Sequence, residues 1–489
     1  MNKFFKIHND DNVAVALENI KTGYTENGIT ALQDIPFGHK ISLGNMRAGE
    51  KVIKYGYTIG HIIQDTPAGS WVHEHNLKTD LSDKLEYEFK GCNEYSSAKS
   101  EQTLNAYKRA NGRIGIRNEI WIIPTVGCVN RTALQLERIG NEIIGDGCDG
   151  VVAYTHPYGC SQMDEDQETT RKILAALIDH PNAGGVLVVS LGCENTNVNV
   201  LKKYLGDIDD TRVKFLVAQE VEDEIESGAR LIKALYDNIK DFKREKVGVE
   251  NLIIGYKCGG SDAFSGITAN VICGKVNDKF TALGASTLLT EVPEMFGAEH
   301  ILMARSEDRE VFHKQVKMIN GFKEYFYSHG AECYENPSPG NHDGGITTLE
   351  EKSLGCVQKG GKSVVTDVLD YGERCKKSGL NLLTGPGNDM VSVTNLACAG
   401  AHLILFTTGR GTSLGAPVPT IKISSNTPLY NKKKNWIDFN AGEILNGKSP
   451  DKLTEDLYEL IISVANGKKT RNEINGCRDI AIFKDGVTM

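Results

Sequence analysis

A short apolar run that breaks into a Gly-Cys turn, and is then followed by a helical pattern, recurs along this chain and narrows what it can fold into. The clearest copy is Val186–Asn195, Val-Leu-Val-Val-Ser-Leu-Gly-Cys-Glu-Asn. Others are Ile-Ile-Pro-Thr-Val-Gly-Cys-Val-Asn ending at Asn130, Val-Val-Ala-Tyr-Thr-His-Pro-Tyr-Gly-Cys-Ser-Gln ending at Gln162, and Leu-Ile-Ile-Gly-Tyr-Lys-Cys-Gly-Gly ending at Gly260. A Val-rich run closed by glycine reads as a buried strand of a parallel sheet. The cysteines are Cys128, Cys160, Cys193 and Cys258, so they step by 32, 33 and 65 residues. A βα unit takes about thirty residues, so the steps correspond to one, one and two units. Ligands of open α/β sheets bind at the carboxyl ends of strands, and four thiols are expected to line that edge.

The chain divides by pattern. Residues 1–80 read as a small β-rich module of short apolar pieces (Val13–Leu17, Lys40–Leu43, Lys51–Lys54, His61–Ile63) separated by turn residues. From 81 to 105 the periodicity is lost and polar residues dominate, a linker composition that would let the module move or pack elsewhere. Residues 106–247 alternate apolar runs (120–127, 150–155, 185–192, 213–218) with helical patterns, the order of a parallel sheet with helices on its faces. Residues 248–489 start a second α/β series, with strands expected near 251–256, 285–290, 363–366, 402–407 and 419–423. Within it a Gly/Pro/Asn-rich insertion at 336–345 looks like a functional loop.

Charge and composition exclude some function classes. The net charge of −9 argues against nucleic acid, where a basic face is expected. No run of about eighteen apolar residues occurs, so no membrane span is expected, and the first residues do not resemble a signal peptide. Twelve cysteines spread through such a chain are expected to be reduced thiols of a cytoplasmic protein rather than a disulfide framework. Neither a Walker loop nor a dinucleotide-binding glycine fingerprint is present.

Several residue groups carry candidate chemistry. His73 and His75 are two apart, and on an extended strand both rings would project from one face, where imidazoles can hold one metal ion; such a pair can also simply decorate a solvated edge. Arg113, Arg117 and Asn118 flank a Gly-rich turn that could grip a carboxylate or be a surface turn. The turn Thr407–Thr412 could present Arg410 to an anion. The thiols and histidines permit three chemistries: a single Fe²⁺ or Mn²⁺ acting as Lewis acid, a [4Fe–4S] cluster on three thiols, or a nucleophilic thiol beside His156. Four small buried core residues are the alternative. Polar neighbours in the same turns, among them Glu194, Asn195, Ser261 and Asp262, suit a polyhydroxylated ligand.

These motifs resemble those of the altronate/galactarate dehydratase family along essentially the whole chain. The N-terminal segment 7–17, Ile-Lys-Tyr-Gly at 53–56 and Val-His-Glu-His-Asn at 72–76 are similar to its SAF-type β-clip module. Residues 109–119, His-Pro-Tyr-Gly-Cys-Ser-Gln at 156–162 and Leu-Gly-Cys-Glu-Asn at 191–195 match the middle part. Cys-Gly-Gly-Ser-Asp at 258–262, the stretches 289–299 and 335–341, Thr-Thr-Gly-Arg-Gly-Thr at 407–412 and the ending 481–489 match the C-terminal part. Pro157 departs from the pattern, which has Thr or a similar residue there.

The resemblance implies loss of water from a sugar acid, D-altronate giving 2-dehydro-3-deoxy-D-gluconate, with galactarate or a related acid as the alternative substrate. It also implies a requirement for Fe²⁺ or Mn²⁺. On residue chemistry, His73, His75, Cys160, Cys193 and Cys258 are candidate metal ligands, with an iron–sulfur cluster as the alternative cofactor. His156 is the candidate base and Glu194 or Asp262 the candidate acid. Arg117, Asn118, Asn195, Ser261 and Arg410 are candidates for binding substrate. The expected assembly is a homo-oligomer, at least a dimer.

Overall fold

Two separate all-parallel sheets, each built from buried apolar strands, form the body of the protein in a computed structural model that describes residues 3–81, 86–98, 101–332 and 336–486. The first has four strands in the spatial order Val151–Ala153, Glu119–Pro124, Ala183–Ser190, Val213–Val217. Its two central strands are buried at every position, because helices cover both faces. On one face Leu136 and Ala133 of helix Asn130–Ile143 meet Ile232 and Leu235 of helix Glu224–Ile239 over Ile120, Leu187 and Val189. Asp223 caps the second of these helices, its carboxylate accepting from the N–H groups of Ile225 and Glu226.

The second sheet has seven strands, ordered Val365–Leu369, Gly379–Leu383, Ser286–Leu289, Ile253–Cys258, Leu403–Thr408, Thr420–Ser424, Phe439–Asn440. Five of these match apolar runs legible in the sequence. Gly379–Leu383 and the helices Leu349–Cys356 and Asp389–Cys398 were not expected. Helix Leu349–Cys356 is buried at all eight positions although it carries Glu350, Glu351 and Lys352, so no amphipathic period marks it.

The expectation of four thiols on one sheet edge is corrected by this topology. Cys128, Cys160 and Cys193 follow three neighbouring strands of the four-stranded sheet, whereas Cys258 ends the central strand of the other. The chain leaves the first sheet after Val213–Val217, and Glu245–Gly248 pairs antiparallel with Thr103–Lys108 instead of extending it.

The N-terminal module is antiparallel throughout. Phe4–Phe5, Val13–Ala16, Lys40–Ser42 and Trp71–Val72 form one sheet, and Lys51–Lys54, Tyr57–Ile62 and Leu77–Lys78 another. It docks on the C-terminal unit, where Val15 packs with Ala263, Phe264 and Ile267, joined by the half-buried Phe37 and Tyr55. The approach is close enough that a Cβ at Gly38, whose φ is +86°, would meet the Gly344 carbonyl at 3.2 Å. Of the two readings of the polar linker, a module that moves or one that packs elsewhere, the packed arrangement is the one seen. The linker's described part lies along the C-terminal unit, with Tyr87 donating to Glu299 at 2.5 Å, Asn93 to the Ser306 carbonyl at 2.9 Å and Tyr95 to the Thr281 carbonyl at 2.8 Å.

Candidate active site at the module interface

Docking is fixed by buried charge. Glu351 accepts from Lys40 at 2.8 Å and from Lys54 at 2.7 Å, and all three side chains are at most 1% exposed. Lys40 also donates to the Gly345 carbonyl and to the Thr347 hydroxyl. Burial alone would push the Glu351 carboxyl up, but the two ammonium groups hold it down at about 2. Burial, with the neighbouring Lys54 charge, brings Lys40 down to about 8 although it shares that carboxylate.

Above this network a set of rings converges. His73 stands in the turn after Trp71–Val72, its ring stacked on Trp71 and 4.8 Å from that of His39. Its Nδ1 lies 2.9 Å from the Thr347 hydroxyl. His342, on the short helix Pro339–Asp343 of the loop singled out in the sequence, uses Nδ1 to donate to the Ile346 carbonyl at 3.0 Å. A carbonyl only accepts, so the neutral ring keeps its lone pair on Nε2. The Nε2 atoms of His73 and His342 lie 3.4 and 3.6 Å from the Glu74 carboxylate. All three ligand atoms fall within 4.8 Å of one another. Burial, followed by the Lys40 and His39 charges, drives the His73 imidazole down to about 3, which keeps it neutral. Two imidazoles and a carboxylate, each ring oriented by a hydrogen bond on its far nitrogen, form a donor set suited to a divalent transition metal.

His75 does not share this arrangement. Residues 73–76 form a turn rather than an extended strand, closed by the Asn76 N–H donating to the His73 carbonyl at 3.0 Å. The exposed His75 ring turns onto Trp71. Glu74, between the two histidines, takes the place foreseen for His75, and His342 was missed because only the folded loop brings it near.

Arg410 and Asp343 flank the group, their charged atoms 3.9 Å apart and both side chains well exposed. Asp262 sits below them. Its Oδ1 accepts from the Ser265 N–H and from the hydroxyls of Ser265 and Ser425, and Oδ2 from the Asn426 amide, so it braces three loops and is not free to act as an acid. Ser261 is buried with its hydroxyl 2.6 Å from Cys258 Sγ. Cys258, Glu294 and Cys356 form a second close group, fully buried and neutralised by Lys352 at 3.0 Å from Glu294. Its interaction with the Cys356 thiol holds Cys258 down at about 7 despite burial.

The remaining sequence candidates lie elsewhere. Arg117 is 1% exposed and is consumed by a bidentate pair with Glu473 at 2.7 and 3.0 Å, plus the carbonyls of Ile116, Val464 and Lys468. Asn118 accepts from Arg109 and donates to the carbonyls of Gly147 and Ile239. Both tie the chain together at the amino end of a strand, and neither can reach a ligand. His156, the candidate base, accepts the Tyr158 N–H on Nδ1, so its Nε2–H donates to the Pro124 carbonyl at 2.8 Å. No lone pair is left for a substrate proton, and burial lowers the ring to about 4. Glu194 is buried; desolvation favours its neutral form, but the hydroxyls of Ser190 and Thr125 and the Gly192 N–H outweigh it and keep the group ionised below its usual range. An ionised acceptor of four hydrogen bonds, the fourth from the Leu191 N–H at 3.2 Å, is no proton donor. Cys160, Cys193 and Asn195 are exposed at the carboxyl edge of the four-stranded sheet, a place with no described contact to the His73 group.

Comparison with known proteins agrees with this three-part construction. Residues 2–80 match the altronate/galactarate dehydratase SAF domain, 106–240 the second domain of D-galactarate dehydratase/altronate hydrolase, and 249–488 the C-terminal domain of D-galactarate/altronate dehydratase. The altronate dehydratase of Escherichia coli (strain K12) is 49% identical over 494 residues, covering 100% of both chains. That of Bacillus subtilis (strain 168) is also 49% identical with the same coverage, over 500 residues. The galactarate dehydratase (L-threo-forming) of E. coli is 31% identical, covering 95% of this chain and 93% of its own. Similarity that runs end to end through the interface as well as the separate units places the chain in a family: it belongs to the altronate/galactarate dehydratases.

Proposed function

We propose that this protein is a hydro-lyase that converts D-altronate to 2-dehydro-3-deoxy-D-gluconate and water. The observation that carries the substrate is the full-length 49% identity to two altronate dehydratases, against 31% to the galactarate enzyme. The proposed cofactor is Fe²⁺ or Mn²⁺ held by His73, Glu74 and His342, whose donor atoms fit a divalent ion and whose outer nitrogens are already committed. When bound, such an ion supplies Lewis acidity that raises the acidity of the C2 proton and offsets the negative charge that builds up on the substrate carboxylate.

The other tasks fall to side chains at the same mouth. Arg410, half-exposed beside Asp343, binds the substrate carboxylate. Asp343 is the accessible carboxylate next to His342, and it accepts the C2 proton and returns one to the departing C3 hydroxyl. The resulting enol rearranges to the 2-keto acid. Buried Lys40 holds Thr347 and the Gly345 carbonyl in place rather than touching the ligand. Cytoplasmic residence and a homo-oligomer, at least a dimer, complete the proposal; the described cysteines are all free thiols, as a reducing compartment requires. The test is turnover by chelator-treated protein resupplied with Fe²⁺ or Mn²⁺, comparing altronate with galactarate. Faster turnover of galactarate would overturn the substrate assignment, and full activity without any metal would overturn the cofactor.

A further inference from the structure

Cysteines are among the most buried residues, and Cys258, Cys273, Cys356, Cys375 and Cys398 follow that rule. Among the described residues Cys92, Cys128, Cys160 and Cys193 break it, and the last three stand in neighbouring loops. All three are exposed, and they lie just past the carboxyl ends of Glu119–Pro124, Val151–Ala153 and Ala183–Ser190. Those strands are hydrogen-bonded neighbours, with the Cys128 strand in the middle.

The three loops are built as one surface. The Gly127 N–H donates to the Tyr158 carbonyl at 3.0 Å, the Thr196 N–H to the Gly159 carbonyl at 3.1 Å, and the Asn130 amide to the His156 carbonyl at 2.9 Å. Asn195 accepts from the Ser161 N–H at 3.1 Å and from the Cys160 thiol at 3.3 Å. His156 and Glu194, spent on hydrogen bonds within these loops, hold the turn on which each cysteine stands. Gly159 has φ +107°, and a Cβ there would run into the Thr125 carbonyl; Ser161, beside Cys160, adopts φ +57°.

A second observation comes from unpaired polar atoms. Asn130 Oδ1, Thr196 Oγ1 and Arg171 Nε are buried without a hydrogen-bond partner, and all belong to these loops or, for Arg171, contact them through the Asn195 carbonyl at 3.2 Å. Spacing then argues against a single ion. Among the described residues, groups of three potential ligand atoms within 4.8 Å are limited to the His73 and Cys258 sets, so these thiols are too spread out to close on one ion. An iron–sulfur cube holds its thiolates farther apart, because each binds a different iron.

We infer that Cys128, Cys160 and Cys193 are the three protein ligands of a [4Fe–4S] cluster seated on the carboxyl edge of the four-stranded sheet, with its fourth iron open to an oxygen ligand. Three thiolates leave one iron without a protein ligand. Arg171, which donates to the Asn195 carbonyl, brings to these loops a positive charge that would suit an anionic cluster, and Asn130 and Ser161 add polar groups to the same loops. The site is separate from the His73 group, so either can be absent without the other.

The test is anaerobic purification of the full chain, reconstitution with ferrous iron, sulfide and a thiol reductant, and measurement of iron and acid-labile sulfide per chain. The expected result is about four of each, a brown colour and charge-transfer absorption in the visible. Cys128→Ser, Cys160→Ser and Cys193→Ser should each lose most of the sulfide while keeping the wild-type circular dichroism. His342→Ala and Cys375→Ser should retain it. A reconstituted wild-type chain that stays colourless and sulfide-free would overturn the inference, as would sulfide unchanged in the serine variants. Altronate turnover with Fe²⁺ in a wild-type chain that stays sulfide-free after reconstitution would leave the proposed function intact while the cluster fails.

Discussion

Glu351→Gln is the sharpest test of how the N-terminal module is held. The side chain keeps its shape and loses its charge, so Lys40 and Lys54, at most 1% exposed, are left facing each other without a counter-ion. The carboxyl is held at about 2 against a free value of 4.5, and at 1.36 kcal/mol per pH unit this is a coupling of about 3 kcal/mol. The usual cost of removing one partner of a buried pair, about 3–5 kcal/mol, agrees. Because the folded value is depressed, this stabilisation is fully present above about pH 4.5 and is lost as pH falls towards 2. Every 1.4 kcal/mol is tenfold, so opening of the interface should become about 100-fold more frequent at neutral pH. Amide exchange at the interface residues, read against the central strands of the seven-stranded sheet, measures this directly. The wild type should approach the variant as the medium is acidified below pH 4. An exchange change of less than about threefold at pH 7 would show that the triad of charges does not hold the module, and the argument from burial would fail.

The other predictions concern the site. Glu74→Gln and His342→Ala should lower Fe²⁺ or Mn²⁺ affinity at least about 10-fold in equilibrium dialysis, whereas His75→Ala should leave it unchanged. Thr347→Val removes the outer hydrogen bond of His73 together with one of the three that buried Lys40 donates, and an affinity loss of about 10–100-fold is expected, with the fold intact by circular dichroism. Arg410→Ala should raise KM for altronate far more than it lowers kcat, as loss of ground-state carboxylate binding does. Arg117→Ala should instead destabilise the protein by about 3–5 kcal/mol in thermal unfolding, with KM unchanged for the folded fraction, because it strands Glu473 in the interior.

How far the sequence reaches is set by which interactions are local. Alternating apolar runs located most strands of both parallel sheets, since a strand buried on two faces needs an unbroken apolar segment. Helix Leu349–Cys356 escaped because its burial depends on charges paired from other parts of the chain: Glu351 with Lys40 and Lys54, and Glu350 with the Thr79 hydroxyl at 2.8 Å. The same limit explains the site. His73 stood out as half of a His-x-His pair, but its neighbours His342 and Thr347 are more than 260 residues away in sequence, and no spacing rule connects them. Arg117 looked like a ligand-binding arginine because its partner Glu473, 356 residues on, is invisible until the chain folds.

The cysteine steps show the limit most clearly. Counting residues gives the number of βα units between two turns, and for 32 and 33 residues the answer is also spatial, because consecutive right-handed crossovers return to the same sheet. For 65 residues it is not. Two units fit the length, yet the chain spends part of it on helix Glu224–Ile239 and on strand Glu245–Gly248, which turns antiparallel to Thr103–Lys108 and ends the first sheet. Cys258 therefore repeats the turn without sharing the edge, and it finds partners of its own in Ser261, Glu294 and Cys356. The device that suggested four equivalent thiols thus separates into three exposed ones on one surface and one in the interior, and that separation of accessibility, more than the count, is the ground for proposing a ligand that the three exposed thiols share.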